Sequence, residues 1–374
     1  MYKKKSKKIK LLFTVNSLSA KGGGAEKILS IVSNELSIKD KYKISVITFD
    51  KPNQKLFYNF SSKINIYKLG SFEFFSNKIL KNINRTLVLM IYLIKLQPKV
   101  SFGFMHSNYI NLSIASIISN SRIIACEHIV PEHYKNRIWE FLLIKFTSKI
   151  FDKITVVSNQ VKKLFPIELR KKMVVINNVV EPIKKKKTLN NTKRKTILSI
   201  GRFEEQKNYL TLIYAFNVFQ KKNRKWKLKI IGDGSQKKDL IKTIKYFKLE
   251  KKVEILDYKK DLYHHYKTAS MYVCPSIYES FGLTVAEAIS FNLPVVAFKS
   301  CPGVNELICH KVNGLLVDSY YYDFNTLGNQ MIELAENKKL IKKIENYNEP
   351  NFLIKNSKNN VIKEWVNLIN NITR

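Results

Sequence analysis

Glu279 and Glu287 flank Gly282 in the stretch ESFGLTVAEA, which follows the β-rich run Tyr272–Cys274 and opens a helical pattern near Leu283. A strand, a glycine turn and a helix N-terminus present free backbone N–H groups and the positive end of a helix dipole, an arrangement that takes phosphate. Gly282 lets the backbone approach such a group closely. Carboxylates cannot hold phosphate, but they accept hydrogen bonds from hydroxyls, so the pair suits a sugar and a ribose. The residues allow a second reading. Thr284-Val-Ala-Glu287 has the form of a capping box, which would turn Glu287 onto its own helix.

Fixed cations complete such a site, because a leaving diphosphate gathers negative charge in the transition state. Arg202 and Lys207, in GRFEEQKN after the run Thr196–Ile200, are the obvious pair, although any loop of so basic a chain can carry Arg and Lys. Gly232 and Gly234 form a GxG turn in KIIGDGSQ, by itself an ordinary strand-to-helix connection. Gly23 and Gly24, in KGGGAEK, permit close approach of a bulky ligand or simply make a flexible loop. His128 follows the run Ile123–Cys126 and either donates to a sugar hydroxyl or serves structure. His264 and His265 read as structural.

Short β-branched runs alternating with longer helical patterns place these residues on an α/β fold with parallel sheets. Strands are expected at 9–15, 44–48, 64–68, 100–104, 123–126, 154–157 and 173–176, then at 196–200, 228–231, 253–256, 271–274, 294–297 and 315–317. Helices are expected between them, among them 109–119, 138–151, 285–290, 303–307 and 324–336. The lysine-rich stretch 181–195 reads as a solvated linker. Two Rossmann-like, doubly wound domains follow, 1–182 and 183–350, facing a cleft that holds the ligand at strand carboxyl ends. Residues 351–374 read as a helix crossing back to the first domain, with Val361, Trp365, Leu368 and Ile369 on one stripe.

The 374 residues carry 66 Lys and Arg against 29 Asp and Glu, a formal charge of +37 that asks for an anionic partner unless compositional drift explains it. The basic start followed by 9–15 imitates a secretory signal but reads as a first buried strand. The apolar run 87–96 falls short of the roughly 20 residues that a spanning helix needs. Residues 137–149 interleave Ile138, Trp139, Phe141, Leu142 and Phe146 with basic residues, as a core-facing helix or one lying on an anionic leaflet. Four scattered cysteines form no disulfide framework and suit a reducing cytoplasm.

ESFGLTVAEA matches the E-x-F-G-x-x-x-x-E-A signature, and the chain resembles glycosyltransferase family 4 across both halves, with GRFEEQK matching its G-R-x-x-x-x-K element. The resemblance implies a GT-B fold and a retaining transfer from a nucleotide-sugar, with a UDP-sugar as donor; the chain carries no D-x-D metal motif, so metal-independent stabilisation of the leaving group by Arg202, Lys207 and the Leu283 and Thr284 amides is expected, with no other cofactor. It places Glu279 on the donor sugar, Glu287 on the ribose, and the Leu283 and Thr284 amides, beside Phe281 and Gly282, on the diphosphate. It also brings Gly232, Gly234, Gly303, Gly23 and Gly24 to the donor, Tyr258 to the base and His128 to the catalytic side. The expected acceptor is a glycan on polyprenyl diphosphate, as in bacterial O-antigen, lipopolysaccharide or capsule assembly. The expected location is cytoplasmic, peripheral on the inner membrane face. A UDP-sugar epimerase of the same fold, and a basic nucleic-acid-binding protein, are the alternatives, the second lacking any recognition motif.

Overall fold

Most of the thirteen strands among the described residues are runs rich in Ile, Val and Leu with both faces covered, as parallel sheets require, while edge strands such as Asn65–Lys68 are only partly buried. The computed structural model describes residues 8–70, 77–180, 195–347 and 350–374, with the side chains of 350 and 351 undescribed. The first sheet holds β1 (Ile9–Val15), β2 (Tyr42–Thr48), β3 (Asn65–Lys68), β4 (Val100–Phe104), β5 (Arg122–Cys126), β6 (Lys153–Val156) and β7 (Met173–Val175). Its order is β3-β2-β1-β4-β5-β6-β7, parallel throughout. The second holds β8 (Thr196–Ile200), β9 (Lys227–Ile231), β10 (Val253–Leu256), β11 (Met271–Cys274), β12 (Val295–Phe298) and β13 (Gly314–Val317). Its order is β10-β9-β8-β11-β12-β13, again parallel.

Each sheet begins at an inner strand, runs to one edge, returns past its first strand and finishes at the other edge. The direction reverses between β1 and β4 and between β8 and β11. Loops that leave neighbouring strands toward opposite faces open a crevice at such a reversal. Right-handed crossovers put helix Gly24–Ser37 on one face of the first sheet and helices Lys78–Leu96, His106–Ala115 and Ile138–Thr147 on the other.

The chain divides into two units, one of Met1–Val179 with Lys358–Arg374, the other of Val180–Ser357. These boundaries compare with expected ones after 182 and 350. The C-terminal helix Lys358–Thr373 belongs to the first unit, where Trp365 packs on Phe102 (5.7 Å between centroids) and stacks on Phe104 (6.3 Å, 14°). Phe102 itself stacks on Phe13, at 4.6 Å.

Several expected elements differ. Residues 303–307 are turns rather than a helix: Gly303 has φ +78°, and Leu307 N–H bonds only to Val304 O, three residues back. The tail is two helices, Pro350–Lys355 and Lys358–Thr373, interrupted where the Asn356 carbonyl accepts Val180 N–H (2.9 Å) and its amide donates to Phe352 O (2.8 Å). The helix expected over 138–151 stops at Thr147, whose hydroxyl bonds back to Leu143 O, and that expected over 109–119 starts at His106. The linker lies outside the described residues except for Lys195. Cys126, Cys274 and Cys301 are buried free thiols and Cys309 an exposed one. Among the described residues no helix is long and apolar enough to cross a membrane.

Candidate active site

The second unit gathers its candidates at the β8–β11 reversal. The loop after β8 carries a single 3-10 turn, Glu205–Lys207, and then Asn208 in the left-handed region (φ +54°), opening helix Tyr209–Gln220. Four contacts zip this loop to the one after β11. Gln206 Nε2 donates to Tyr278 O (2.7 Å) while Ile277 N–H donates to Gln206 O (2.9 Å). Asn208 Nδ2 donates to Pro275 O (3.1 Å). Lys207 Nζ meets Glu279 Oε1 at 2.5 Å, with side chains only 17% and 12% exposed. Ser276 Oγ donates to the same oxygen at 2.8 Å, and Glu279 Oε2 has no partner among the described residues. One carboxylate oxygen is therefore held in place and the other is open to a hydroxyl.

Gly282 (φ +81°) ends this loop and starts helix Leu283–Ser290 with no side-chain cap. The first amides to find an acceptor are those of Val285 and Ala286, both on Gly282 O. Leu283 and Thr284 N–H have none among the described residues, so two donors stand free at the positive helix end. The capping box does not form. Thr284 lies inside the first turn, and the Tyr266 hydroxyl lies 2.7 Å from Glu287 Oε2 and 3.2 Å from the Thr284 carbonyl. Glu287 is thus oriented by a buried tyrosine from the neighbouring helix Tyr263–Thr268.

The glycines act through close backbone approach. A Cβ on Gly232 would lie 1.9 Å from Gly201 O, and one on Gly234 2.7 Å from Phe203 O, so the loops after β8 and β9 touch main chain to main chain. A Cβ on Gly303 would meet Glu279 O at 2.5 Å. Gly303 therefore lies beneath the Glu279–Ser280 backbone as a seat for it. Phe281 is buried, whereas the Arg202 side chain is exposed and has no partner among the described residues. Tyr258 lies beyond edge strand β10, in electrostatic reach of Tyr266. Asn208, Gln206, Ser276 and Tyr266 were not singled out from the sequence. Asn208 alone left a signal there, as an Asn suited to a left-handed turn.

Gly23, Gly24 and His128 belong to the first unit. Gly23 caps helix Gly24–Ser37, and the Glu26 carboxylate folds over the place its Cβ would occupy (2.0 Å). The Tyr58 hydroxyl donates to Gly23 O at 3.0 Å. His128 stacks on Phe104 (5.3 Å, 19°), and burial pushes its pKa down to about 4, keeping the ring neutral near pH 7. Beside it, buried Glu127 accepts from Tyr109 (2.5 Å), Tyr134 (2.9 Å) and Ile129 N–H (2.9 Å). Burial nevertheless raises its pKa to about 7. A carboxyl raised from 4.5 to about 7 lends stability below pH 4.5 that is lost as pH rises through 7, on the order of 3 kcal/mol. Thermal melts of wild type and Glu127→Gln between pH 4.5 and 7.5 are therefore expected to diverge, the wild type losing ground to the variant as pH rises. Comparison within the pair removes the opposite slope of buried His128.

His106, His133 and Glu140 bring three groups capable of holding a metal within 4.8 Å of one another. Glu140 is already paired with Lys78 (2.7 Å) and Arg137 (3.6 Å), and His106, whose pKa burial pushes down to about 4, lies 3.3 Å from it, so ion pairs with Lys78 and Arg137 already engage its carboxylate.

Two doubly wound parallel sheets of this order are the architecture of the GT-B fold. Residues 180–350, which make up most of the second unit, match the family model described as glycosyl transferases group 1. An uncharacterized glycosyltransferase of Haemophilus influenzae is 29% identical over 311 residues, covering 82% of this chain and 85% of its own. The Campylobacter jejuni N-acetylgalactosamine-N,N'-diacetylbacillosaminyl-diphospho-undecaprenol 4-alpha-N-acetylgalactosaminyltransferase is 26% identical, covering 79% and 83%. Among solved structures, Anabaena HepE in complex with UDP and glucose superposes with a TM-score of 0.77 at 18% identity, covering 97% of this chain and 99% of that one.

Proposed function

We propose that the chain is a retaining glycosyltransferase that moves a sugar from a UDP-sugar to a glycan carried on polyprenyl diphosphate, without a metal, in assembly of a bacterial surface polysaccharide such as O-antigen or capsule. The observation that carries this reading is the Lys207–Glu279 pair set beside the free Leu283 and Thr284 amides. In this reading the donor diphosphate lies on those amides, with Lys207 and Arg202 offsetting the charge that grows as the sugar–phosphate bond breaks. Glu279 Oε2 accepts a donor hydroxyl, and Glu287, aimed by Tyr266, takes the ribose. The deprotonated diphosphate oxygen on the attacked face receives the acceptor proton, so the chain supplies position and charge rather than a base. UDP and glucose in HepE, and the undecaprenol-linked substrate in the Campylobacter relative's name, support the two substrate classes. The epimerase alternative finds no such support.

The test is a donor screen with an undecaprenyl-diphosphate-linked glycan, with and without EDTA, read by mass spectrometry of the lipid product and by the anomeric configuration of the new bond. EDTA-insensitive transfer with retained configuration is the expected outcome. Conversion of a UDP-sugar to its epimer without acceptor, or salt-sensitive duplex DNA binding with no UDP binding, would sink the reading.

A further inference from the structure

The first unit exposes two apolar helix faces on one side of its sheet. On helix Lys78–Leu96, Ile79, Leu80, Ile83, Leu87, Ile91 and Ile94 are 49–68% exposed. At 100° per residue they fall within roughly 120° of the helix circumference, one unbroken stripe along its whole length. Only Leu89 and Leu93, on another face, are buried. Helix Ile138–Thr147 repeats the arrangement with Ile138, Trp139, Leu142, Leu143 and Phe146, led by Trp139 at 79% exposure. The mostly buried helix His106–Ala115 lies between the two, and Ile117 and Ile118 emerge just after it. The Lys78–Glu140 ion pair ties the starts of the two striped helices together.

Soluble surfaces carry single exposed apolar residues, not two parallel stripes. The charge beside the stripes identifies what covers them. Residues 77–96 and 135–150 bring Lys78, Lys81 and Lys95, then Lys135, Arg137, Lys145 and Lys149, against one acid, Glu140, which Lys78 and Arg137 already neutralise; Arg85 instead turns inward to Asn16 and Phe49. A second copy of the chain would bring another basic face, on another body of charge +37, against this one. An anionic bilayer instead offers acyl chains to the stripes and headgroup phosphates to the lysines. We infer that helices 78–96 and 138–147, with Ile117 and Ile118, form a two-helix face that docks onto an anionic membrane and lies in its interfacial plane. This deepens the reading that the acceptor is lipid-linked and names the surface through which the chain reaches it.

Trp139 reports on docking directly, because the other two tryptophans, Trp226 and Trp365, are only 7% and 2% exposed. The chain is titrated with phosphatidylcholine vesicles containing phosphatidylglycerol and with phosphatidylcholine alone, following co-sedimentation and the emission maximum. Expected are a blue shift of Trp139 with the anionic vesicles, at least tenfold weaker partition onto neutral ones, and further weakening in high salt. The double variants Ile83→Glu/Ile91→Glu and Leu142→Glu/Phe146→Glu, at exposed positions, are each expected to cut partition at least tenfold and leave UDP affinity unchanged. Wild-type partition by both variants overturns the proposal, as does a concentration-dependent dimer that the variants abolish in a chain that ignores vesicles. If docking fails alone, UDP binding and transfer to a detergent-dispersed acceptor persist. If the enzymatic reading fails alone, vesicle binding persists without them.

Discussion

Glu279→Gln is expected to lower turnover about 100- to 1,000-fold while UDP affinity changes by less than about threefold, the range seen when one pre-organised electrostatic contact is removed. The substitution keeps the side chain's shape and its contact with Ser276 but removes the charge opposite Lys207, at 2.5 Å in a largely enclosed position. Lys207 would then face the donor diphosphate uncompensated and displaced from its seat, which alters the transition state more than UDP binding. A double-mutant cycle with Lys207→Met should return a coupling of about 1–3 kcal/mol in stability, as contacting residues give. Turnover equal to wild type would remove Glu279 from the reaction altogether.

Gly303→Ala is expected to cost about 2–4 kcal/mol of stability and to reduce transfer nearly as far as loss of Glu279 itself. Two costs add. The φ of +78° is strained for any residue with a Cβ, at roughly 1–2 kcal/mol. The new methyl would also stand 2.5 Å from the Glu279 carbonyl oxygen and 2.7 Å from Ser280 C, main-chain atoms that cannot swing aside. The loop must move, taking the Glu279 side chain away from Lys207. Gly70→Ala separates the terms, since Gly70 has φ +83° and nothing within 4 Å of its Cβ position. Chemical denaturation of both variants should show the smaller loss at Gly70; equal losses would mean that strain alone acts at Gly303.

The strands were legible because parallel sheets buried on both faces demand unbroken β-branched runs, and Ile9–Val15, Val100–Phe104 and Thr196–Ile200 form as read. The turn at Gly303 was less so. CPGVNEL has helical spacing, but the backbone there is committed to supporting a neighbouring loop, a tertiary demand invisible in local pattern. The capping box at Thr284 failed for a related reason: a left-handed glycine ended the loop two residues earlier than the motif assumed, leaving Glu287 to Tyr266. Glu279 and Lys207 were each legible as candidates by motif. Their pairing was not, since they lie far apart in the chain and only the adjacency of β8 and β11 joins them. The stripe on helix 78–96 escaped because a hydropathy window asks whether a segment can span, not which of its faces remains uncovered.

Trp365 has a consequence for the order in which the chain acquires structure. Its ring completes an aromatic cluster begun by Phe13 and Phe102, yet it arrives from Lys358–Thr373, after the whole of Val180–Ser357 has been laid down. On the ribosome the later half of the sequence can close its sheet while the earlier half still lacks a wall of its core. The unit that begins first therefore finishes last, and its exposed apolar surface must be sheltered through the synthesis of the other.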